Sequence, residues 1–185
     1  MRLRQIFLAG LLAAAGTAQA GADIRMTSEL EELVGLYRRG DYQAAFKGLS
    51  KHARQGEAYA QGLLGKMYAD GQGTPQNHAL AVEWLSRAAA RGDDLAQNRL
   101  GDMYAEGRGL PQDLEKAVAY YRDAAEQYNA AACYSLGLAY EEGRGVAVDH
   151  AAALRYYRLA AKLGNAGAQF ELDNPSTEQT ESPKQ

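Results

Sequence analysis

A period of 36 residues constrains this chain more than any other feature. Gly65, Gly101 and Gly137 are spaced by 36, as are Leu64, Leu100, Leu136 and Leu172, and Tyr68, Tyr104 and Tyr140. Behind each tyrosine comes a Gly-x-Gly turn, Gly71-Gln72-Gly73, Gly107-Arg108-Gly109 or Gly143-Arg144-Gly145, followed in register by Asn77, Asp113 or Asp149. The second half of each unit supplies Ala81, Ala117 and Ala153, an aromatic slot at Trp84, Tyr120 and Tyr156, and the pairs Ala88-Ala89, Ala124-Ala125 and Ala160-Ala161. Agreement over so many slots is the signature of stacked units, each too small to bury its apolar face alone.

Each unit translates into two helices. Ala60, Leu64 and Tyr68 recur at i, i+4 and i+8, one face of a first helix, and the glycines behind them supply the left-handed conformation of a C-cap. Asn77, Asp113 and Asp149 are N-cap residues for a second helix, in which Ala81, Trp84, Leu85 and Ala88 share a face. Gly92 and Gly164 close that helix, with Tyr128 as the departure in the slot. Glycine inside a helix costs about 1 kcal/mol relative to alanine, yet the first helix carries one in all three units. A neighbouring helix must approach too closely for a Cβ, with the aromatic slot of the second helix expected to pack nearby and the small alanines letting the helices nest. Tyr104 is then a buried packing ring, whose loss would cost about 3–5 kcal/mol. The expected architecture is all-α, a solenoid of stacked antiparallel helix pairs with a 36-residue period, in units 58–93, 94–129 and 130–165.

Both ends of the array are atypical, as in other solenoids. Asp41, Ala45 and Gly56 keep the register of a second helix, and the segment from Ser28 to Arg38 is its partner: Ser28-x-x-Glu31 forms a capping box, and Leu30, Leu33, Val34 and Tyr37 form an apolar stripe. Residues 21–57 thus make an N-terminal capping pair. Residues 166–172 begin a truncated unit, and residues 173–185, without apolar anchors, are expected to be a disordered tail.

A recognition surface is sought where the slots vary while packing slots stay fixed. Slots 59, 62, 63, 66 and 70 share the helical face opposite much of the Ala60, Leu64, Tyr68 face. They read Tyr59, Gly62, Leu63, Lys66, Asp70, then Leu95, Asn98, Arg99, Asp102, Glu106, then Ala131, Tyr134, Ser135, Leu138, Glu142. Apolar residues beside charges are the mixture expected on the concave side of a solenoid. Tyr59, Lys66, Arg99, Asp102 and Tyr134 are expected to carry partner binding, whereas Leu63 and Leu138 have packing against a neighbouring helix as their alternative. Arg108 and Arg144 at the loop tips form the next candidate edge.

Chemistry is excluded more readily than binding. Twenty basic against 23 acidic residues give a formal net charge of −3, without the basic stripe that nucleic acid requires. The Gly-x-Gly turns lie between helices, unlike a phosphate-cradling loop that follows a strand. His52, His78 and His150 have no metal-ligand spacing, and the serines lack a nucleophile motif. No cofactor, metal or catalytic residue is expected. Cys133, the single cysteine, sits mid-array in the slot of Gln61, Gln97 and Gln169. It is either buried and inert or available for an intermolecular bridge, and its place in the first helix favours burial.

The pattern Ala-x-Ala-Gln-x-x-Leu-Gly-x-x-Tyr-x-x-Gly-x-Gly, then Pro-Gln-Asp, Ala-x-x-Tyr-Tyr and Ala-Ala, resembles the Sel-one-like repeat family, relatives of tetratricopeptide repeats, from Glu57 to about Leu172. The resemblance implies a right-handed α/α superhelix (solenoid) of paired helices that serves as a protein–protein scaffold or adaptor, with the first helix of each pair often lining the inner curve. Some cysteine-rich members are associated with penicillin binding or β-lactamase activity, but they rely on a cysteine pair in each repeat, and Cys133 stands alone. The leading expectation is a binding scaffold whose partner is another protein, not nucleic acid. An exported enzyme on cell-wall or β-lactam-like substrates, or a polysaccharide-export helper that stacks sugars on some of the 12 tyrosines, are the alternatives.

The N-terminus reads as an address. Arg2 and Arg4 precede an apolar run from Ile6 to Ala15, and Ala18 and Ala20 place small residues before a cut after Ala20, the layout of a secretory signal peptide. The run falls short of the roughly 20 residues of a membrane-spanning helix, so no stable membrane insertion is expected after cleavage. Loss of residues 1–20 leaves 18 basic against 23 acidic residues, a formal charge of −5, on a periplasmic or secreted product. Mass spectrometry of extracytoplasmic protein should find Gly21 as the first residue; an N-terminus that still carries Met1 would contradict export by this route.

Overall fold

The computed structural model describes residues 28–174, and over that span the chain forms helices joined by short turns. The expected signal segment at 1–20 and nearly all of the expected tail at 173–185 lie outside the described residues. A helical segment over residues 28–38 (α1) is followed by α2 (Tyr42–Gln55), α3 (Ala58–Asp70), α4 (His78–Ala89), α5 (Asp94–Glu106), α6 (Leu114–Glu126), α7 (Ala130–Glu142), α8 (His150–Lys162) and α9 (Ala166–Asp173). Helices α3/α4, α5/α6 and α7/α8 pair within the three units, each pair rests on the next, and α9 packs on α8.

Capping sets the boundaries. The side chains of Asn77, Asp113 and Asp149 accept the backbone N–H of Leu80, Lys116 and Ala152, which satisfies donors that the helix itself leaves open. The first helices carry a second set of caps that the periodicity did not single out. Asp93, Asn129 and Asn165 accept from Ala96, Ala132 and Ala168. Asp41 holds the N-cap slot of α2 but makes no side-chain capping bond. Tyr128 adopts a left-handed φ of 62° where the other units have glycine.

The two glycines of each turn have separate tasks. In the middle unit Gly107 ends α5 in the left-handed region (φ 68°), while Gly109 (φ 78°) lies so close to the start of α4 that a Cβ would come within 2.7 Å of the His78 carbonyl. The turn of one repeat is thereby seated on the backbone of the repeat before it.

The interior glycines answer to close approach, although not to the ring expected. A Cβ on Gly65 would stand 2.7 Å from Leu85 Cγ, and a Cβ on Gly101 or Gly137 would overlap the ring of Tyr121 or Tyr157. The slot one residue after Trp84, Tyr120 and Tyr156 therefore fills the interior: Leu85, Tyr121 and Tyr157 are buried, whereas Trp84, Tyr120 and Tyr156 are half-buried. The two outer tyrosines stack on the tyrosines of the first helices instead, while Trp84 carries the Arg87 guanidinium over its ring. Tyr104 stacks on Tyr120 at 5.6 Å between centroids, and Tyr140 on Tyr156 at 5.6 Å. Tyr104 is half-buried rather than enclosed, because its outer side faces solvent and Lys116, whose Nζ lies 5.5 Å from the ring centroid. Cys133 is fully buried, and burial pushes its thiol up.

These burials separate two ring truncations. Tyr157→Ala, at 0% exposure, should cost about 3–5 kcal/mol in chemical denaturation. Tyr104→Ala should cost roughly half that, since the ring has less apolar area to lose from the interior. Equal losses at both positions would contradict the assignment of Tyr157 to the inner layer.

Candidate groove on the first helices

Because the first helices stand side by side, with α3 touching α5, slots that are 36 residues apart in sequence become neighbours in space. Their shared face closes into one groove, with a cavity volume of about 460 Å³, within the range of ligand sites. Tyr59 and Lys66 come to it from α3, Arg99 and Asp102 from α5, and Tyr134 from α7. All five residues expected to carry binding are therefore brought together. Leu95, Asn98, Ala131 and Ser135 of the same stripe also line it; Leu63 borders it but is buried in the core of the first repeat, and Leu138 packs half-buried against the core of the last.

Three wall residues lay outside the stripe. Tyr37 reaches in from α1, and the caps Asp93 and Asn129 form part of the floor. Asn129 both accepts the Ala132 N–H and donates from Nδ2 to Asp94 at 2.8 Å. Their only sequence signal was a polar residue directly before each first helix, which a capping analysis of that boundary would have found.

Most charged groups of the groove are already engaged. Lys66 Nζ donates to Asp70 at 2.6 Å and to the Tyr37 hydroxyl at 2.7 Å, and lies 5.4 Å from the Tyr37 ring centroid. Burial alone would lower its pKa, but the bonds to Asp70 and Tyr37 outweigh that and hold the ammonium above its usual range. Asp102 accepts the Tyr121 hydroxyl at 3.0 Å. Burial raises the Asp102 carboxyl despite the hydrogen bond from Tyr121 and the nearby charge of Arg99. Tyr134 donates to Glu171 at 3.3 Å. Arg99 is the charged exception, 3.9 Å from Asp102, and the buried, uncharged Asn98 has no hydrogen-bond partner for its Oδ1 among the described residues, a deficit of about 1–3 kcal/mol for such a group. At the loop edge Arg108 pairs with Glu106 at 2.6 Å and Arg144 with Glu142 at 3.6 Å, so each arginine meets a carboxylate of its own repeat.

Among the described residues no group of three or more His, Cys, Asp or Glu is placed to hold a metal ion, and no helix is long and apolar enough to cross a membrane.

The Asp102 environment has a pH signature. A carboxyl whose folded pKa lies above its unfolded value adds stability that is complete below the ordinary aspartate pKa of about 3.9 and is lost as pH rises through the raised value. Asp102→Asn stays neutral and keeps an oxygen for the Tyr121 hydroxyl. Its stability relative to the parent should therefore rise as pH is taken from about 3.5 towards 7; a constant difference in denaturation midpoint across that range would contradict the raised Asp102 pKa.

Comparison with known proteins agrees with this architecture. The Sel1 repeat family matches residues 58–93, 94–129 and 130–165, more than half of the chain. Among solved structures the chain is similar to a Sel1 repeat protein from Oxalobacter formigenes, at 34% identity and a TM-score of 0.71, over 76% of this chain and 56% of that one. It is also similar to c5321, a protective antigen of uropathogenic Escherichia coli with an SLR fold, at 36% identity and a TM-score of 0.72, over 84% of this chain and 34% of that one. This chain thus spans less than two thirds of the length of either relative. Helicobacter pylori cysteine rich protein B, 24% identical with a TM-score of 0.57 over 69% of this chain and 95% of that one, shares the fold. Among curated proteins none matches the chain. The three matched units coincide with the three helix pairs that build the groove, and the chain belongs to the Sel1 repeat family.

Proposed function

We propose that this chain is a protein-binding scaffold or adaptor, exported to the periplasm or beyond the cell, which holds a segment of an envelope or regulatory partner in the groove of α3, α5 and α7. The observation that carries this is the convergence of the variable slots of three successive repeats on one cavity of about 460 Å³. Packing does not dictate the residues at most of those slots, Leu63 and Leu138 excepted. Within the family, repeats of this kind generally mediate protein interactions. Support for export comes from the basic, apolar and small-residue order of residues 1–20. Binding sites on such surfaces concentrate their energy in a few aromatic and arginine side chains, and Tyr59, Arg99 and Tyr134 are of those types.

The purified chain, cross-linked in extracts of its own source, should recover one stoichiometric protein partner. Arg99→Ala combined with Tyr134→Ala should weaken that capture at least tenfold, about 1.4 kcal/mol, with helical circular dichroism unchanged. Undiminished capture by the folded double variant would move recognition away from this groove, to the loop edge of Arg108 and Arg144 first. Turnover of a chromogenic β-lactam by the purified chain would instead favour an enzyme.

A further inference from the structure

Two adjacent residues in the middle of the groove have polar capacity that the protein itself leaves unused. Asn98 is 9% exposed and its Oδ1 is without a partner. Among the described residues Arg99 makes one ion pair, a long one to Asp102 at 3.9 Å, and its side chain remains 40% exposed. Packing does not call for the carboxamide, since the same slot holds Gly62 in the repeat before and Tyr134 in the repeat after. Asn98 lines the cavity with its oxygen turned inward, and the terminal torsion of an asparagine is soft and roughly two-fold, so turning the amide over presents that oxygen to the cavity.

The chemistry of the missing ligand follows from these two groups. A carboxamide matches a peptide unit, with an acceptor and donors in one plane, and a guanidinium is a planar fork that fits a carboxylate. The anions of the groove are occupied: Asp93 accepts the N–H of Ala96 and Asp102 accepts the Tyr121 hydroxyl. Among the two cations, Lys66 is held by Asp70 and Tyr37, which leaves Arg99 as the charge to be matched. Beside it Tyr59 and Leu95 present exposed apolar surface, at 37% and 49%.

We propose that the groove seats an extended peptide segment bearing an aspartate or glutamate next to an apolar residue. Its carboxylate lies on the Arg99 guanidinium, a main-chain N–H donates to Asn98 Oδ1, and the apolar side chain rests on Tyr59 and Leu95. This rests on the groove being the recognition surface, as proposed above, and adds what it recognises.

The test uses random decapeptides displayed on phage, selected on the immobilised full chain, with the enriched sequences remade synthetically. Enriched peptides should share an acidic residue beside an aliphatic or aromatic one. Changing that residue to its amide, or Arg99→Gln in the protein, should each raise Kd at least tenfold, and the two changes together should cost little more than either alone. N-methylation of the peptide backbone should be harmful at one position on the parent and indifferent at that position on Asn98→Gly, a variant that copies Gly62; Asn98→Tyr, which copies Tyr134, serves if the glycine variant loses helical content. Enriched peptides that are basic or uncharged, binding unaffected by Arg99→Gln, or selection of no peptide at all would overturn the proposal. If cross-linked capture of a partner depends on Arg99 and Tyr134 while selected peptides carry no carboxylate, the scaffold function stands and this assignment of its ligand falls.

Discussion

Every repeat depends on one contact, the seating of a large side chain from the second helix against a glycine of the first. Tyr121 lies on Gly101 and Tyr157 on Gly137, with Leu85 on Gly65 as the aliphatic version. The glycine weakens its helix by about 1 kcal/mol, and a fully buried tyrosine offsets several times that amount. The hydroxyls at the ring tips do not remain unpaired: Tyr121 donates to Asp102 and Tyr157 to Glu141, both on the first helix of the same pair. Burial, and then the neighbouring carboxylate, hold both phenols well above the ordinary tyrosine range. The same contact that closes a helix pair thus positions a carboxylate at the groove, in the case of Asp102.

Between repeats the constraint is different. Gly73, Gly109 and Gly145 press against the backbone at Tyr42, His78 and Leu114, each at the start of the preceding second helix. Because that contact is made by main chain on main chain, it tolerates wide variation at the side chains around it, and the residue between the paired glycines changes from Gln72 to Arg108 and Arg144 without altering the turn. Stacking is consequently set by spacing, and the first helices are brought into one row whatever their outward residues are.

Much of this was legible in the sequence, because packing imposes the same identity at the same slot. The period, the helix pairs, the C-terminal glycines and the N-caps at 77, 113 and 149 each left a repeated residue. The inner ring did not, since Tyr120-Tyr121 and Tyr156-Tyr157 are adjacent aromatics and helical spacing alone does not decide which faces inward. Trp84-Leu85 drew the choice to the wrong slot, because the aromatic there is the outer residue and the inner one is leucine. In the groove the stripe was visible as variability, whereas Tyr37 was not, since it comes from α1, which lies outside the 36-residue register. The orphaned oxygen of Asn98 had no sequence signal at all: only its 9% exposure, among neighbours that offer it no donor, sets it apart from an ordinary helix-surface asparagine.

The division between fixed and free slots explains how a fold with so little chemistry acquires a specific surface. Residues at 64, 65 and 68 and their equivalents hold the stack, and any change there is paid in stability. Residues at 59, 62 and 66 face away from the glycine contact, so a repeat can exchange Gly62 for Asn98 or Tyr134, and Lys66 for Asp102 or Leu138, on an unchanged backbone. The middle repeat has used that freedom most: it holds a buried carboxamide without a partner, an arginine with only a distant one, and an acid tied to the repeat's own inner ring. Its neighbours contribute Tyr59 and Leu63 on one side and Tyr134 and Ala131 on the other to the walls. Polar specificity at the centre, flanked by aromatic and aliphatic surface, is the arrangement in which water is excluded from the few bonds that discriminate between ligands, and it arises here because three equivalent positions filled with different residues are brought within reach of one bound segment.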